Sequence, residues 1–447
     1  MSQGIRELLR QELRNIYRPR SRADARTWNE TNLSLRPTES PERHGPYRGG
    51  DHVAILRLLD MFFSNPAWRY LDIEKCAQSG VTFHVLAYIA RRCDEAPVNV
   101  LYAIDSATKA GRISRRLQHL LEDCRSTRER FLRARRHDEV TAGEIRWPGA
   151  NLFFVGAGSA GQLASEAVGL AVGDEVDKHP EIEGEAPTID LLDDRIKTII
   201  GGKRIAFSTP TGEHGQIHRG YLHGSRHKYF VPCPNCGHMQ PLEWDAFTFG
   251  HRTDLAGFYD RDRVERETYY ECAGCHERIE ERHKRPMIEA GEWRPTNYRK
   301  VDGALPGMEQ VEAWARSRMS ARLPEWYGFA PGSGWGRLAV RWIDAQENAG
   351  KLHAFWNSVR AEPFAHRAAQ ISDDMILRLR GDYERGALPW TPCLGGMAVD
   401  IQGDVLKWVM AGFLHNGTMA ISDWGQTLSI DELEEVADRG MVCPDGR

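Results

Sequence analysis

The sequence predicts an α/β protein: a parallel sheet carries a phosphate-binding loop, and a four-cysteine segment is inserted after it. Three observations carry this prediction. From about Pro46 to Gly224, short apolar runs of strand character alternate with helical stretches. Between a strand signal and a helix signal lies Lys75-Cys-Ala-Gln-Ser-Gly80-Val-Thr82, the setting a phosphate loop requires. Two CxxC pairs, Cys233-Pro-Asn-Cys236 and Cys272-Ala-Gly-Cys275, bracket 35 residues.

Taken in order, residues 1–45 read as a helical and linker segment. Arg6, Arg10 and Arg14 recur at helical spacing with Leu8, Leu9 and Leu13 between them, and a Pro/Ser/Glu-rich linker runs from Leu35 to Pro46. Residues 46–225 read as a nucleotide-binding domain, with signals at Tyr70–Ile73, Phe83–Ala90, Val98–Ile104, Leu152–Val155 and Ile205–Phe207. Residues 226–290 hold the cysteine insertion, and 291–390 read as a largely helical subdomain whose Trp326, Trp335, Trp342 and Trp356 belong to a core. From 391 to 447 the pattern returns to strands, at Met397–Val399, Leu406–Phe413 and Met419–Ile421, with Asn416-Gly417 as a turn.

At 447 residues the chain is long enough for two or three domains. Its 27% charged and 41% hydrophobic residues are globular composition, and a net charge of −4 gives no global signature of a nucleic-acid binder. No apolar run reaches the roughly 18 residues of a membrane span, and the N-terminus lacks a secretory core, so the expectation is a soluble intracellular protein.

Within the loop, Lys75 stands where GxxxxGK[ST] has its first glycine and Val81 where it has its lysine, while Gly80 and Thr82 match. The lysine is moved, not lost. From its new place it can reach the β/γ-phosphates of ATP, with backbone N–H groups around Gln78, Ser79, Gly80 and Val81 on phosphate oxygens and Thr82 on Mg²⁺. Asp174-Glu175 follows the run Val168–Val172, although Gly169 and Gly173 interrupt that strand. There Asp174 would serve the magnesium and Glu175 would orient the attacking water. Ser208-Thr209-Pro210 closes the next apolar run, the place of a polar sensor. Arginines over 112–136, including Arg115, Arg116, Arg133, Arg135 and Arg136, read first as a solvated helix face and second as a phosphate-facing patch.

Each CxxC turn can present two thiolates to one tetrahedral ion, and four sulfurs leave no open position, so a Zn²⁺ here would be structural. A redox CxxC would open a helix in a thioredoxin-like unit, and none is apparent. His238 and His276 lie near, outside a shell that Cys233, Cys236, Cys272 and Cys275 already complete. The other five cysteines read as free thiols.

In this order, the lysine-led loop, the acidic pair and the Ser-Thr sensor resemble the terminase large subunits of the lambda-like GpA family, which carry the lysine at the loop's start. The resemblance runs from about Pro46 to Gln426 and includes Val155–Leu163 and Gly173–Pro180. It implies an ATPase motor that drives double-stranded DNA into a procapsid, with the small terminase subunit and the capsid portal as partners and an oligomeric state when assembled. The setting it implies is the host bacterial cytoplasm, with no membrane.

The same resemblance makes Tyr47 the residue that helps hold adenine, though packing against the helix from Val53 would explain it equally. It also makes Asp400 the first carboxylate of an RNase H-like nuclease, of which the remaining residues are expected to supply only the opening part. Two other readings stay open: a zinc-stabilised binding module that does not turn over ATP, and another P-loop translocase or helicase.

Overall fold

The computed structural model describes residues 23–38, 44–137, 139–164, 166–249, 259–300, 310–312, 317–364, 381–402 and 405–445. The helix expected over Arg6–Arg14 lies outside them. The chain divides into two compact units, 1–365 and 366–447.

The first unit is built on a seven-stranded sheet of β1 (Tyr70–Lys75), β2 (Val100–Ile104), β3 (Glu144–Trp147), β4 (Ala150–Gly156), β5 (Leu170–Asp174), β6 (Lys203–Ser208) and β7 (Arg318–Leu323), in the order β7-β1-β6-β5-β2-β4-β3. Every pair is parallel except the edge hairpin β3–β4. β2 and β5 are buried at every position, as parallel strands covered on both faces must be. The helices that cover them include α1 (Val53–Ser64), α2 (Val81–Glu95), α3 (Ala107–Asp123), α4 (Arg128–Arg136), α5 (Thr188–Ile196), α6 (Gln216–His223) and α7 (Trp335–Ala345). α1 buries Val53, Ile55, Leu56, Leu58, Leu59 and Phe62, an apolar face at helical spacing. α3 starts where the Ser106 hydroxyl accepts from the Lys109 amide.

β7 is a strand inside the stretch expected to be largely helical. Arg318, Ser320 and Arg322 alternate with Met319, Ala321 and Leu323, and each polar side chain has a partner: Asp193 for Arg318, the Tyr221 carbonyl for Ser320, and Glu74 for Arg322. Below it, Arg204 at the head of β6 is fully buried, yet it is ion-paired with Asp72 of β1 and, at 2.7 Å, with Asp193 of α5. A buried charge is tolerated when it is paired and hydrogen-bonded in this way.

The glycines that interrupt the strand before the acidic pair are packing requirements. A Cβ on Gly173 would lie 2.6 Å from Val176 Cγ1, and one on Gly169 would lie 2.9 Å from Val98 Cβ. Trp326 and Trp335 are buried, Trp342 packs against the same core, and Trp356 stacks with the Arg360 guanidinium at 3.9 Å.

The cysteine segment contributes two small sheets. One is Met239–Pro241, Lys228–Pro232 and Glu292–Arg294; the other is Phe247–Thr248, Tyr269–Glu271 and Arg278–Ile279. Its Tyr229, Val231, Tyr270 and Ile279 belong to the same apolar cluster as α1 and β1.

The second unit contains an antiparallel meander of β8 (Leu394–Gln402), β9 (Val405–Phe413) and β10 (Met419–Thr427), then α8 (Ile430–Arg439). Trp408, Met410 and Val436 form its core. No described helix is long and apolar enough to cross a membrane.

Gly173→Val is expected to cost roughly 1–3 kcal/mol by overpacking. Gly161→Ala, where an added Cβ meets nothing within 4 Å, should leave urea unfolding nearly unchanged.

Candidate functional site

Parallel strands end on one edge of the sheet, and that edge gathers the predicted residues. Lys75 closes β1, Asp174 closes β5 and Ser208 closes β6, which lies between those two strands. Gln78 and Gly80 both take left-handed backbone (φ 54° and 81°), so the loop turns tightly into α2, whose first residue is the buried Val81. The Ser79 hydroxyl is buried and has no hydrogen-bond partner. An orphaned donor beside a helix N-terminus fits an anion such as a phosphate.

Lys75 Nζ lies 2.5 Å from Glu175 Oε1, and Lys178 Nζ lies 2.9 Å from Oε2 of the same carboxylate. Glu175 is held in left-handed backbone (φ 56°) with its amide bonded to the Phe207 carbonyl at 2.7 Å. Ser208 Oγ and the Thr209 amide each approach Glu175 Oε2 at 3.4 Å. Burial works to raise the Glu175 pKa, but the Lys75 charge and the hydrogen bonds from Lys75 and Lys178 lower it below the usual value.

Asp174 is nearly fully buried. It accepts from the Tyr102 hydroxyl at 2.7 Å and from Thr82 Oγ1 at 3.2 Å, and burial pushes its carboxyl up to about 6. Thr82 and Asp174 thus bring together two oxygens of the kind that bind magnesium. Tyr102 was not among the expected residues. An aromatic in a buried strand carries no functional signal, and only the β2–β5 pairing brings it to Asp174.

The Tyr47 ring packs on Phe83 at 5.6 Å, the residue is only 4% exposed, and its hydroxyl bonds His84 Nε2 at 2.7 Å. His84 Nδ1 lies 2.8 Å from the Gly80 carbonyl, which can only accept, so Nδ1 donates and Nε2 accepts from Tyr47. Tyr47 therefore connects to the loop through His84, and it does not line the cavity described next.

Cys76 to Ser79 border a cavity of about 410 Å³, together with His52 and Ile55 at the start of α1, Leu323 at the end of β7, and Phe329. These walls lie up to 277 residues apart in the chain (329 − 52), beyond the reach of any local sequence pattern.

The four predicted cysteines meet, with their Sγ atoms all within 4.8 Å of one another. The Cys233–Cys275 and Cys236–Cys272 separations of 3.9 and 3.8 Å match the roughly 3.8 Å expected for thiolates around tetrahedral zinc. Both knuckles repeat one geometry: Gly237 N bonds Cys233 O and His276 N bonds Cys272 O, with Gly237 and His276 in left-handed backbone. His276 is exposed beside Glu271, and neither it nor His238 joins the cluster.

Of the arginines, Arg130 is structural, pairing with Asp94 at 2.6 Å and lying over Trp147, while Arg135 reaches Glu122 at 3.5 Å. Arg112 and Arg115 are exposed. In the second unit, Asp400 is exposed on β8 in one cross-strand row with Lys407 and Gln426. Asp423 pairs with Met410, three positions from Lys407, and so faces the opposite side of the sheet. Asp404 lies outside the described residues. Among these, the cysteine set is the one group of three or more metal-ligating side chains.

Burial and the nearby His52 hold the His84 pKa at about 3, below its ordinary 6.5. The unfolded chain therefore takes up that proton first, and stability is expected to fall as pH drops from 6.5 toward 3. His84→Gln should flatten the fall, measured as Tm against pH. A single zinc per chain is expected on metal analysis, and Cys275→Ser should abolish it and lower Tm.

The sequence model for the phage terminase large subunit gpA ATPase domain matches residues 57–293, and that for the gpA endonuclease domain matches 319–439. The second match begins inside β7 of the first unit's sheet and runs through α8, so it reaches well upstream of the meander expected to open a nuclease. A terminase large subunit of Enterobacteria phage P21 is 25% identical over 266 residues, covering 54% of this chain and 38% of that protein, so the alignment spans less than half the relative. The large terminase ATPase domain of Thermus phage P74-26 aligns with 12% identity and a TM-score of 0.33, over 66% of this chain and 88% of that one. With the ATPase-domain model covering more than half of its residues, the chain belongs to the gpA family of phage terminase large subunits.

Proposed function

We propose that the first unit is an ATP-hydrolysing motor that translocates double-stranded DNA into a procapsid, working with a small terminase subunit and a portal. The observation that carries this reading is the convergence of Lys75, Thr82, Asp174, Glu175 and Ser208 on one edge of the sheet. Lys75 binds the β/γ-phosphates, and the amides of Gln78 to Val81 hold their oxygens. Mg²⁺, held by Thr82 and Asp174, supplies charge neutralisation at those phosphates.

Glu175 orients the attacking water once Lys75 turns from it toward phosphate. With its pKa lowered, Glu175 is a carboxylate at neutral pH, able to accept a hydrogen bond from that water. Ser208 and Thr209 touch the same carboxylate and pass its rearrangement to the end of β6. A Zn²⁺ held by Cys233, Cys236, Cys272 and Cys275 would be structural. For the second unit we propose an RNase H-like start at Asp400; its cross-strand row offers Lys407 and Gln426, not the further carboxylates that two-metal cleavage uses.

DNA-stimulated ATP hydrolysis is expected from the zinc-loaded chain, with kcat lowered about 100-fold or more in both Lys75→Ala and Glu175→Gln. Absence of turnover in the unmodified chain would favour the binding-module reading. Incubation with duplex DNA and Mg²⁺ or Mn²⁺ should leave the DNA uncut, and robust metal-dependent cleavage by this chain would overturn that part.

A further inference from the structure

The cavity beside the phosphate loop has one wall that comes from the cysteine segment. Ile288 lines it, alongside Leu323 at the end of β7, Phe329 from the chain that follows and Ile55 from α1. A flat aromatic ring among aliphatic side chains, in a space of about 410 Å³ next to a phosphate loop, suits a planar purine base.

The stretch from Glu281 to Trp293 fastens both sides of this cavity. Toward α1, Arg285 Nη2 bonds Asp51 at 2.7 Å, Trp293 Nε1 bonds the Ala54 carbonyl at 2.7 Å, and Arg57 reaches back to the Glu289 carbonyl at 2.8 Å. Toward the other side, the Arg285 guanidinium lies 4.2 Å over the Phe329 ring, buried Lys284 bonds the Ser333 carbonyl at 2.8 Å, and Glu281 accepts from the Trp335 amide at 3.0 Å. Five residues separate Cys275 from Glu281, and among them Ile279 is fully buried and paired with Tyr270 of the same knuckle. The cysteine cluster is thus the near end of a short, packed lever whose far end is the cavity wall.

We infer that the cysteine module completes the nucleobase pocket of the ATP site, with Phe329 and Ile288 contacting the purine and Arg285 as the positioning residue that links metal occupancy to nucleotide affinity. This rests on the ATP reading of the loop. The module therefore acts on the base and ribose end of the nucleotide, while Lys75 and the loop amides act on the phosphates. Loss of zinc removes the anchor at the near end of the Glu281–Glu289 stretch, and with it part of what fixes the seat of the base.

The test measures the affinity of a fluorescent ATP analogue, together with its displacement by inorganic tripolyphosphate, which engages the loop alone. Both are measured on the zinc-loaded full chain, the chelated chain, and the Arg285→Ala and Phe329→Ala variants. The expected result is ATP-analogue binding about tenfold weaker in both variants and after chelation, with tripolyphosphate unchanged and Arg285→Lys partly restored. Unchanged ATP affinity, or equal weakening of ATP and tripolyphosphate, would overturn the inference while leaving the phosphate site standing. If the unmodified zinc-loaded chain binds neither ligand, the ATP reading itself fails.

Discussion

The ion pair between Lys75 and Glu175 is the interaction around which the first unit is arranged. Lys75 closes β1 and Glu175 directly follows β5, strands that do not touch because β6 lies between them, so the pair forms only if three parallel strands keep register. Moving the lysine to the head of the loop changes what the rest of the loop must do. Val81, in the position a lysine would take, is 1% exposed and opens α2 as a core residue. A charged side chain at that buried site would need desolvation or a new partner. One relocated charge thus lets the loop's end serve packing and its beginning serve electrostatics.

Much of this edge was legible because the sheet is parallel. Strand ends carry ligand residues there, and Lys75, Thr82, Asp174-Glu175 and Ser208 each follow an apolar run or open the next helix. Gly169 and Gly173 argued against the strand in one dimension and for it in three, since their missing side chains make room for Val98 and Val176. Tyr102 and the cavity walls could not be read, because their meaning arises from pairing between distant strands. β7 was missed for a related reason: its polar half looks unlike a buried parallel strand until Asp193, the Tyr221 carbonyl and Glu74 supply partners.

The cysteine segment divides in the same way. The knuckles are local, with ligands three residues apart in each turn, and the sequence states them outright. Their attachment to α1 and to the chain after β7 depends on Trp293, Arg285 and Lys284, residues of ordinary type whose partners lie up to 239 positions away (293 − 54). Tyr229, Trp244, Trp326 and Trp335 place the segment in the same apolar cluster as the sheet's helices. Its core is the first unit's core.

The sheet order also bears on how the chain is made. β1, which carries the phosphate loop, takes its outer neighbour from β7, 243 residues later (318 − 75). At roughly 5–20 residues per second of synthesis, β1 has an open edge for about 12–50 s before that neighbour leaves the ribosome. During this time an unpaired parallel edge is exposed to other chains, and the cysteine knuckles, complete by residue 275, are available to fold first. The route by which β7 reaches its slot therefore passes through a segment whose four cysteines have already been made.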